Sequence, residues 1–369
     1  MLRTTRRRLD PTILNLPVEK MREGYYADTY FNRAREIHER DGYHPRVRMQ
    51  VFQRSSAVLC GIDEAIAILK LCSGRHDGSA WIDGWNDLVV RALFDGDAIE
   101  PLETVMTIEG DYGLFAHLET AYLGVLSRRT RIATNARAIV DAADGKDVLY
   151  FPARYDHHLV QTGDGYAAYI SGALGVSTDA NAEWWGSRGM GTVPHALIAA
   201  YGGDTVLATR KFAEHIDPSV NVISLVDFDN DCAGTSVAVA RALGDRLWGV
   251  RLDTSATLVD RSVITQMGMF PPTGVNPQLV RNVRRALDDA GFPAVRIVAS
   301  GGFNARRIRA FEKEAVPIDA YAVGSAFFDN AGHYDFTADI VALEDRGAWR
   351  ECHKVGRPER PNPRLDAVT

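Results

Sequence analysis

From about residue 145 onward the chain repeats one pattern, a short apolar run, a loop and then a helical stretch. This rhythm is typical of parallel βα units, in which the helices cover a buried sheet. The clearest unit spans 276–303. Asn276 and Pro277 predict a helix start, Gly291 predicts its end, and a buried strand over 295–299 follows. The rhythm therefore predicts an α/β fold with a parallel sheet.

Other apolar runs fit the same pattern, and each ends at a polar or glycine residue: 222–226 before Asp227, 247–252 before Asp253, and 318–323 before Gly324 and Ser325. In a parallel α/β barrel the carboxyl ends of the strands form the mouth of the active site. We therefore expect these residues to converge at the mouth of a barrel. A doubly wound sheet is the alternative that the spacing leaves open.

The first 110 residues have a different pattern, with a strand predicted at 47–52 and helices at 62–72 and 85–94. This pattern predicts a separate α+β domain. We expect three regions: this N-terminal domain over 1–115, the barrel over 116–330, and a tail over 331–369 that returns to the N-terminal domain and packs on its surface.

Charge and composition argue against several classes of protein. The formal net charge of −6 disfavours general nucleic-acid binding. The sequence has no run of about 18 apolar residues, and its basic start lacks the apolar segment of a secretory signal. Its four cysteines lie far apart, which predicts neither zinc binding nor a disulfide framework. We expect a cytoplasmic protein that acts on small molecules.

Two glycine turns are candidate phosphate sites. Ser300, Gly301 and Gly302 follow one predicted strand, and Gly324 and Ser325 follow the next. Backbone N–H groups at such turns, facing the start of a helix, bind phosphate in many barrel enzymes. The alternative is that these glycines only make tight turns.

Charged side chains are predicted at the same mouth. Asp227 and Asp253 end predicted strands, and Arg251 precedes Asp253 by two residues, so both side chains share one strand face. Charges at a barrel mouth are costly unless they pair or bind a ligand. We expect the carboxylates to hold ribose hydroxyls and Mg²⁺, with an Arg251–Asp253 salt bridge as the alternative.

The segment GTVPHALIAAYGGD resembles the signature of nicotinate phosphoribosyltransferases, and most closely that of the short archaeal-type members. Further segments follow in the family's order: EGYYADTYF at 23–31, the helix at 117–139, FPARYDHH at 151–158, AYISGALGVSTDANA at 168–182, and KVGRP near the end. The ordered set covers about residues 20–360, which makes it far more specific than any one segment.

The resemblance implies a type II phosphoribosyltransferase. Such an enzyme has an N-terminal α/β sandwich, an irregular parallel α/β barrel, and active sites shared across a homodimer. The implied reaction joins nicotinate to phosphoribosyl diphosphate, with Mg²⁺, in NAD biosynthesis. Only some relatives phosphorylate the histidine that His195 matches, so the resemblance leaves open whether ATP is consumed.

The resemblance also assigns residues to the ring of the substrate. Phe151 and a partner subunit's copy of Tyr30 would sandwich the pyridine, which leaves the ring nitrogen free to attack. Arg154 would meet substrate charge, and Ser177 with Arg251 would line the base pocket. Taken alone, Tyr30 and Phe151 fit a protein core equally well.

The diphosphate is assigned to three basic residues. His195 would contact it or carry a phosphoryl group, and Lys354 and Arg357 match positions that hold it. Together with Arg251, Asp227 and Asp253, His195 completes the predicted catalytic set. The alternatives are a structural histidine and solvated charges near the chain end.

Several departures from the family keep other functions open. Tyr155 replaces an expected arginine, His158 replaces a proline, and Asp179 adds an acid close to the predicted base pocket. The ring could therefore be nicotinamide, quinolinate or another heterocycle. The stretch 222–236 also resembles the diphosphate-sugar motif of type I phosphoribosyltransferases, which keeps the same co-substrate. A catalytically degenerate nucleotide-binding relative is the non-enzymatic alternative.

Overall fold

The computed structural model describes residues 6–268, 270–330, 332 and 334–369, and the chain forms two compact units. The first unit combines the chain up to Thr134 with Asn330–Thr369, and the second unit is Asn135–Asp329. Sequence reasoning placed the first boundary near residue 115. The structural division falls later because Tyr122 and Leu126 are buried in the core of the first unit.

The strands within the described residues are, in chain order, β1 Arg46–Phe52, β2 Ala57–Val58, β3 Gly74–Asp77, β4 Ala80–Asp83, β5 Val89–Ala92, β6 Ala98–Ile99, β7 Thr104–Asp111, β8 Asp147–Tyr150, β9 Gly175–Val176, β10 Val222–Leu225, β11 Leu247–Leu252, β12 Arg296–Ala299, β13 Ala320–Val323, β14 Thr337–Asp345, β15 Ala348–Glu351 and β16 Asp366–Ala367.

The α-helices within the same residues are α1 Val18–Arg22, α2 Thr29–Asp41, α3 Ile62–Cys72, α4 Glu119–Ala142, α5 Gln161–Ile170, α6 Asp179–Ala182, α7 His195–Ala200, α8 Thr205–His215, α9 Cys232–Leu243, α10 Arg261–Ile264, α11 Pro277–Asp289 and α12 Ala305–Lys313. Throughout the described part of the chain, no helix combines the length and the apolar content that crossing a membrane requires.

The first unit is built on a six-stranded antiparallel sheet with the order β15-β14-β1-β7-β5-β16. Its core packs alternate residues of β1 against the buried helix α3. One expectation is wrong here: the stretch 85–94 is not a helix, because alternate residues of β5 are buried, as in a strand. The segment after 331 belongs to the same unit as the N-terminal region, but it does more than pack on the surface, since β14 pairs with β1 and buries Val341.

The second unit is built on a parallel sheet with the order β10-β11-β12-β13-β8-β9. β13 pairs with β8, so the strands follow chain order around a circle that is open only between β9 and β10. Leu149 of β8 and Ile223 of the edge strand β10 belong to one buried cluster, which shows that the sheet curls around its interior. The predicted α/β class and the irregular parallel barrel are confirmed, and the doubly wound alternative is excluded.

The unit predicted at 276–303 has the expected structure. The Asn276 side chain accepts the Leu279 N–H at 3.0 Å, and its amide donates to the carbonyls of Pro272 and Gly274. The apolar face of α11 is buried, and the helix leads into β12. Local capping therefore defines the start of the helix that leads into β12, the strand before Ser300.

We expect Asn276→Ala to lower the free energy of unfolding by about 1–2 kcal/mol, because the first turn of α11 loses its cap. Urea-induced unfolding followed by circular dichroism measures this change. Arg285→Ala, at an exposed position of the same helix, is the control and should change stability by under about 0.5 kcal/mol. Equal stability of Asn276→Ala and the control would contradict the capping role.

Candidate active site

The carboxyl ends of the parallel strands bring the predicted polar residues to one edge. Leu225 of β10 pairs with Arg251 of β11, and Leu252 of β11 pairs with Ala299 of β12. Each strand is then followed within two residues by its predicted site residue: Asp227 after β10, Asp253 after β11, Ser300 after β12 and Gly324 after β13. The barrel register therefore aligns these residues at its mouth.

Arg251 is the centre of a hydrogen-bond network at this mouth. Its Nε donates to Ser300 Oγ at 2.8 Å, Nη1 to Thr192 Oγ1 at 3.2 Å, and Nη2 to Asp253 Oδ2 at 3.3 Å. Ser300 Oγ lies 2.7 Å from Asp253 Oδ1. The Arg251 guanidinium is also 5.7 Å from the centroid of the Phe151 ring. The Arg251–Asp253 salt bridge, which the sequence offered as an alternative, is therefore present. It belongs to a larger hydrogen-bond network that includes Ser300 and Thr192.

His195 and Asp227 form a second pair. His195 is the first residue of α7, and its Nε2 lies 3.0 Å from Asp227 Oδ1. The hydrogen bond to Asp227 raises the pKa of His195 most, and the negative charges of Asp227 and Asp253 add to the increase. Burial and the Arg251 charge oppose it. Because the charges of Asp253 and Arg251 both shift the pKa of His195, the His195–Asp227 pair and the Arg251 network are close enough to interact electrostatically.

The turn after β12 has the geometry of an anion site. Gly301 and Gly302 adopt φ of +86° and +70°, a region that side chains with a Cβ rarely occupy. Asn304 caps α12 directly afterwards, so the backbone N–H groups of the turn and a helix N-terminus lie together. This is the arrangement expected for the predicted phosphate site.

Arg307, which sequence reasoning missed, fixes this turn. Its Nη1 donates to the Gly301 carbonyl at 2.6 Å, and its Nη2 donates to the Val275 carbonyl. Its guanidinium also lies 4.2 Å from the centroid of the Phe303 ring. Its location in the first turn of the helix after the two glycines was the available sequence signal.

The second predicted phosphate turn has a different neighbour. The Tyr155 ring lies against Gly324, and Ser325 is exposed at the start of a short 3₁₀ helix. Tyr155 is the residue that replaces an expected arginine, so this chain places an aromatic ring where the family motif has a charge. Arg154 is exposed, with its guanidinium 5.9 Å from the same ring.

Phe151, one of the predicted ring residues, packs against the buried cluster inside the barrel. Phe151 and Thr192 line a cavity of about 360 Å³ together with Leu149, Met190 and Ile223. Ser177 has a buried Oγ with no hydrogen-bond partner within the described residues.

The added acid near these residues has a structural partner. An oxygen of Asp179 accepts the Gly189 N–H at 2.8 Å, which ties α6 to the loop over 187–192. The sequence alone left open whether this acid would oppose a negatively charged ring substituent. The hydrogen bond gives Asp179 a role in holding the loop.

The remaining predicted residues belong to the first unit. Tyr30 is 61% exposed, and its hydroxyl lies 3.4 Å from Asp28 Oδ2. Lys354 is exposed, whereas Arg357 donates to Asp339 Oδ2 at 2.7 Å. Their roles toward the ring and the diphosphate stay predictions.

Magnesium binding is compatible with the carboxylates at the mouth. Across residues 6–268, 270–330, 332 and 334–369, no group of three or more His, Cys, Asp or Glu side chains is arranged to hold a metal. Mg²⁺ usually takes only one or two carboxylates and keeps waters and substrate phosphates. Asp227 and Asp253 fit such an ion if it arrives with a diphosphate.

Comparisons with known proteins identify what this chain is similar to. Residues 28–130 match the family model described as the quinolinate phosphoribosyl transferase N-terminal domain. The chain is 30% identical to a nicotinate phosphoribosyltransferase of Mycobacterium tuberculosis over 271 residues, which is 70% of this chain and 55% of that protein. It is 24% identical to a nicotinate phosphoribosyltransferase of Bacillus subtilis over 366 residues, 91% of this chain and 70% of that protein.

Solved structures of related phosphoribosyltransferases are also similar to this chain. A nicotinate-nucleotide pyrophosphorylase from Pyrococcus furiosus matches with a TM-score of 0.77 and 31% identity over 96% of this chain and 85% of that chain. Human nicotinic acid phosphoribosyltransferase matches with a TM-score of 0.66 and 16% identity, covering 91% of this chain and 77% of that chain. The fold is therefore that of the type II phosphoribosyltransferases.

The chain belongs to the nicotinate phosphoribosyltransferase family. This confirms the family predicted from the ordered motifs. The chain spans about half the length of the Mycobacterium tuberculosis relative, 55%, so the activity of the longer protein is not carried over directly.

We expect Asp227→Asn to lower the pKa of His195 toward its ordinary value of about 6.5, because the charged hydrogen-bond acceptor is lost. Nuclear magnetic resonance titration of the His195 ring protons measures this change. Asp229→Asn is the control, since Asp229 is an exposed neighbour on the same loop. A His195 pKa that stays unchanged or rises in Asp227→Asn would show that the pair does not control the histidine.

The raised pKa also sets how the pair contributes to stability. The stabilisation that the His195–Asp227 pair gives the fold is fully present below the unfolded-state pKa of His195. It is lost as the pH rises through the folded-state pKa. The difference in the free energy of unfolding between wild type and Asp227→Asn should therefore shrink as the pH rises through that range. Denaturant titrations at several pH values measure this difference.

We expect Arg307→Met to weaken binding of phosphoribosyl diphosphate roughly tenfold, because the Gly301 carbonyl loses its charged donor. Isothermal titration calorimetry measures the affinity. Arg309→Met, at an exposed position of α12, is the control and should bind as wild type does. Unchanged affinity in a folded Arg307→Met variant would show that Arg307 supports the fold only.

Proposed function

We propose that this chain is a nicotinate phosphoribosyltransferase that forms nicotinate mononucleotide and diphosphate from nicotinate and phosphoribosyl diphosphate, in NAD biosynthesis or salvage. The observation that carries the proposal is the convergence at one barrel mouth of a charged network and a glycine turn suited to phosphate, next to a cavity lined by Phe151 and Thr192, which both contact or approach Arg251. Each part fits one portion of the two substrates.

In the proposed reaction, the ring nitrogen forms a bond to the anomeric carbon of the ribose as the carbon–oxygen bond to diphosphate breaks. Positive charge builds on the sugar in the transition state. Asp253 and Asp227 would stabilise that charge and hold the ribose hydroxyls. Mg²⁺, when bound, would neutralise charge on the departing diphosphate.

The 5′-phosphate is assigned to the turn of Ser300, Gly301 and Gly302, with Gly324 and Ser325 on the neighbouring strand end. Backbone N–H groups of the first turn and the N-terminus of α12 would donate to its oxygens. Because Arg307 and Asn304 already hold the turn in place, little reorganisation is needed on binding.

The pyridine ring is assigned to the cavity beside Phe151. Stacking would hold the flat ring and leave its nitrogen free. Ser177, whose buried Oγ has no hydrogen-bond partner among the described residues, would line the base pocket as the family motif implies, and Arg251 would set its edge. Tyr30 from a second copy would cover the other ring face in a homodimer, and Arg154 would meet substrate charge at the rim.

His195 is assigned to the diphosphate, with Lys354 and Arg357. Its raised pKa favours the protonated ring, which binds an anion better than it accepts a phosphoryl group. ATP consumption is therefore the weaker part of the proposal. A cytoplasmic location is part of it too and is supported by four unpaired cysteine thiols.

Quinolinate is the second candidate substrate, because residues 28–130 match the quinolinate phosphoribosyl transferase model. That reaction would release carbon dioxide as well as diphosphate. Carbon dioxide release from quinolinate, with no turnover of nicotinate, would favour this candidate over the first.

We expect the pure protein, given phosphoribosyl diphosphate, Mg²⁺ and nicotinate, to form nicotinate mononucleotide, detected by liquid chromatography. Asp253→Asn should reduce kcat/KM at least about a hundredfold, because a charge that stabilises the transition state is removed. Asp229→Asn, at an exposed position, should leave turnover unchanged. Absence of product from any pyridine acid or amide would refute the proposed function.

A further inference from the structure

The barrel cavity contains one cation that none of the preceding assignments uses. The cavity lies where the sheet is open between β9 and β10, and both strand edges contribute to it through the segments 187–192 and 217–223. Its lining combines an apolar set, Leu149, Phe151, Met190, Val220 and Ile223, with polar groups that include Arg188. The cavity therefore suits a flat ring that carries a charged substituent.

The loop that carries Arg188 is held on both sides of this residue. The Gly189 N–H donates to Asp179 at 2.8 Å, and the Met190 N–H donates to the Val176 carbonyl at 2.7 Å. A Cβ on Gly189 would lie 2.7 Å from the backbone carbon of Thr178, so the loop packs too closely there for any other residue. The backbone of Arg188 is thus fixed at the edge of the cavity while its side chain is exposed.

The side chain of Arg188 can interact with a ligand in the cavity. Within the described residues it forms neither an ion pair nor a hydrogen bond through its side chain. The acid that shares the cavity, Asp217, accepts the Ser219 N–H at 2.8 Å and the Ser219 hydroxyl at 2.7 Å. The hydrogen bonds from Ser219, and to a smaller extent the Arg188 charge, lower the pKa of Asp217, so the two charges attract each other. The N–H groups of Arg188 nevertheless have no hydrogen-bond partner among the described residues and are available to a ligand.

The other arginine near the cavity differs in this respect. Arg251 donates from all three of its nitrogens, to Ser300, Thr192 and Asp253. Thr192 lines the same cavity as Arg188, so the Arg251 network ends at the wall that Arg188 shares. Three of the five N–H donors of Arg251 are therefore already committed, whereas the Arg188 side chain donates to no other described residue.

We propose that Arg188 is a specificity-determining residue that binds the carboxylate of the ring substrate and selects a pyridine acid over the corresponding amide. This inference rests on the proposed function, because it assigns one group of the ring that the function uses. An arginine pairs with a carboxylate through two parallel charged hydrogen bonds, which a neutral amide cannot match.

The test compares nicotinate with nicotinamide, which differ only in this substituent, a charged carboxylate in one and a neutral amide in the other. Arg188→Gln should raise KM for nicotinate about tenfold to a hundredfold and leave KM for nicotinamide within about twofold. The kcat for nicotinate should change little, because the carboxylate contact is the same before and during bond formation. Arg188→Lys should recover part of the loss.

Arg210→Gln is the matched control, since Arg210 is an exposed arginine on α8 of the same unit. A change of both ligands by the same factor in Arg188→Gln, or no change in either, would overturn the assignment. Wild-type preference for nicotinamide would overturn it as well.

Direct titration of the two ring ligands into wild type and Arg188→Gln separates this inference from the proposed function. If no product forms with any pyridine, the function fails, and a selective loss of nicotinate binding in the variant would still support the role of Arg188. If product forms normally and both proteins bind nicotinate equally, the function stands and the role of Arg188 is refuted.

Discussion

The pairing of Arg251 is the constraint on which the barrel mouth depends. Its guanidinium joins β11 to the turn after β12 and to the segment before α7, through Ser300 and Thr192. A guanidinium at this depth would be costly without partners, and the contact with Asp253 also balances its charge. The glycine turn and Asp253 are consequently organised by Arg251, and His195 by its own pairing with Asp227, so the mouth is a preorganised electrostatic environment.

The incomplete closure of the barrel has a chemical consequence. β9 is only two residues long, and the sheet is open between it and β10. Residues 187–192 lie along this opening and contribute Met190 to the barrel interior and Arg188 to the edge of the cavity. A closed barrel would fill its interior with side chains. The opening instead leaves a partly apolar space lined by Phe151 and Thr192, next to the Arg251 network, and the proposed function assigns the ring to this space.

Local sequence patterns predicted much of this arrangement. The capped helix α11, the strand β11 and the end residues of the parallel strands follow from periodicity over a few residues, and the family motifs brought His195 and Asp227 into the same predicted site. The errors involve distant contacts. The strand β5 was read as a helix because its strand character comes from pairing with β7, and β14 was missed because its partner β1 lies nearly 300 residues earlier. Arg188 and Arg307 lie outside the motifs, so only their three-dimensional neighbours identify them.

The departures from the family motif have a common physical interpretation. The arginine expected at 155 is a tyrosine that lies against Gly324, and the acid added at 179 holds the Gly189 N–H. That hydrogen bond fixes the loop at Gly189, directly after Arg188. One substitution thus removes a cation from the loop after β8, and the other orders the segment that presents a cation at the barrel opening. The proposed role of Arg188 follows the same logic, because an ion pair with a carboxylate requires charge and geometry and does not depend on which strand or loop supplies the cation.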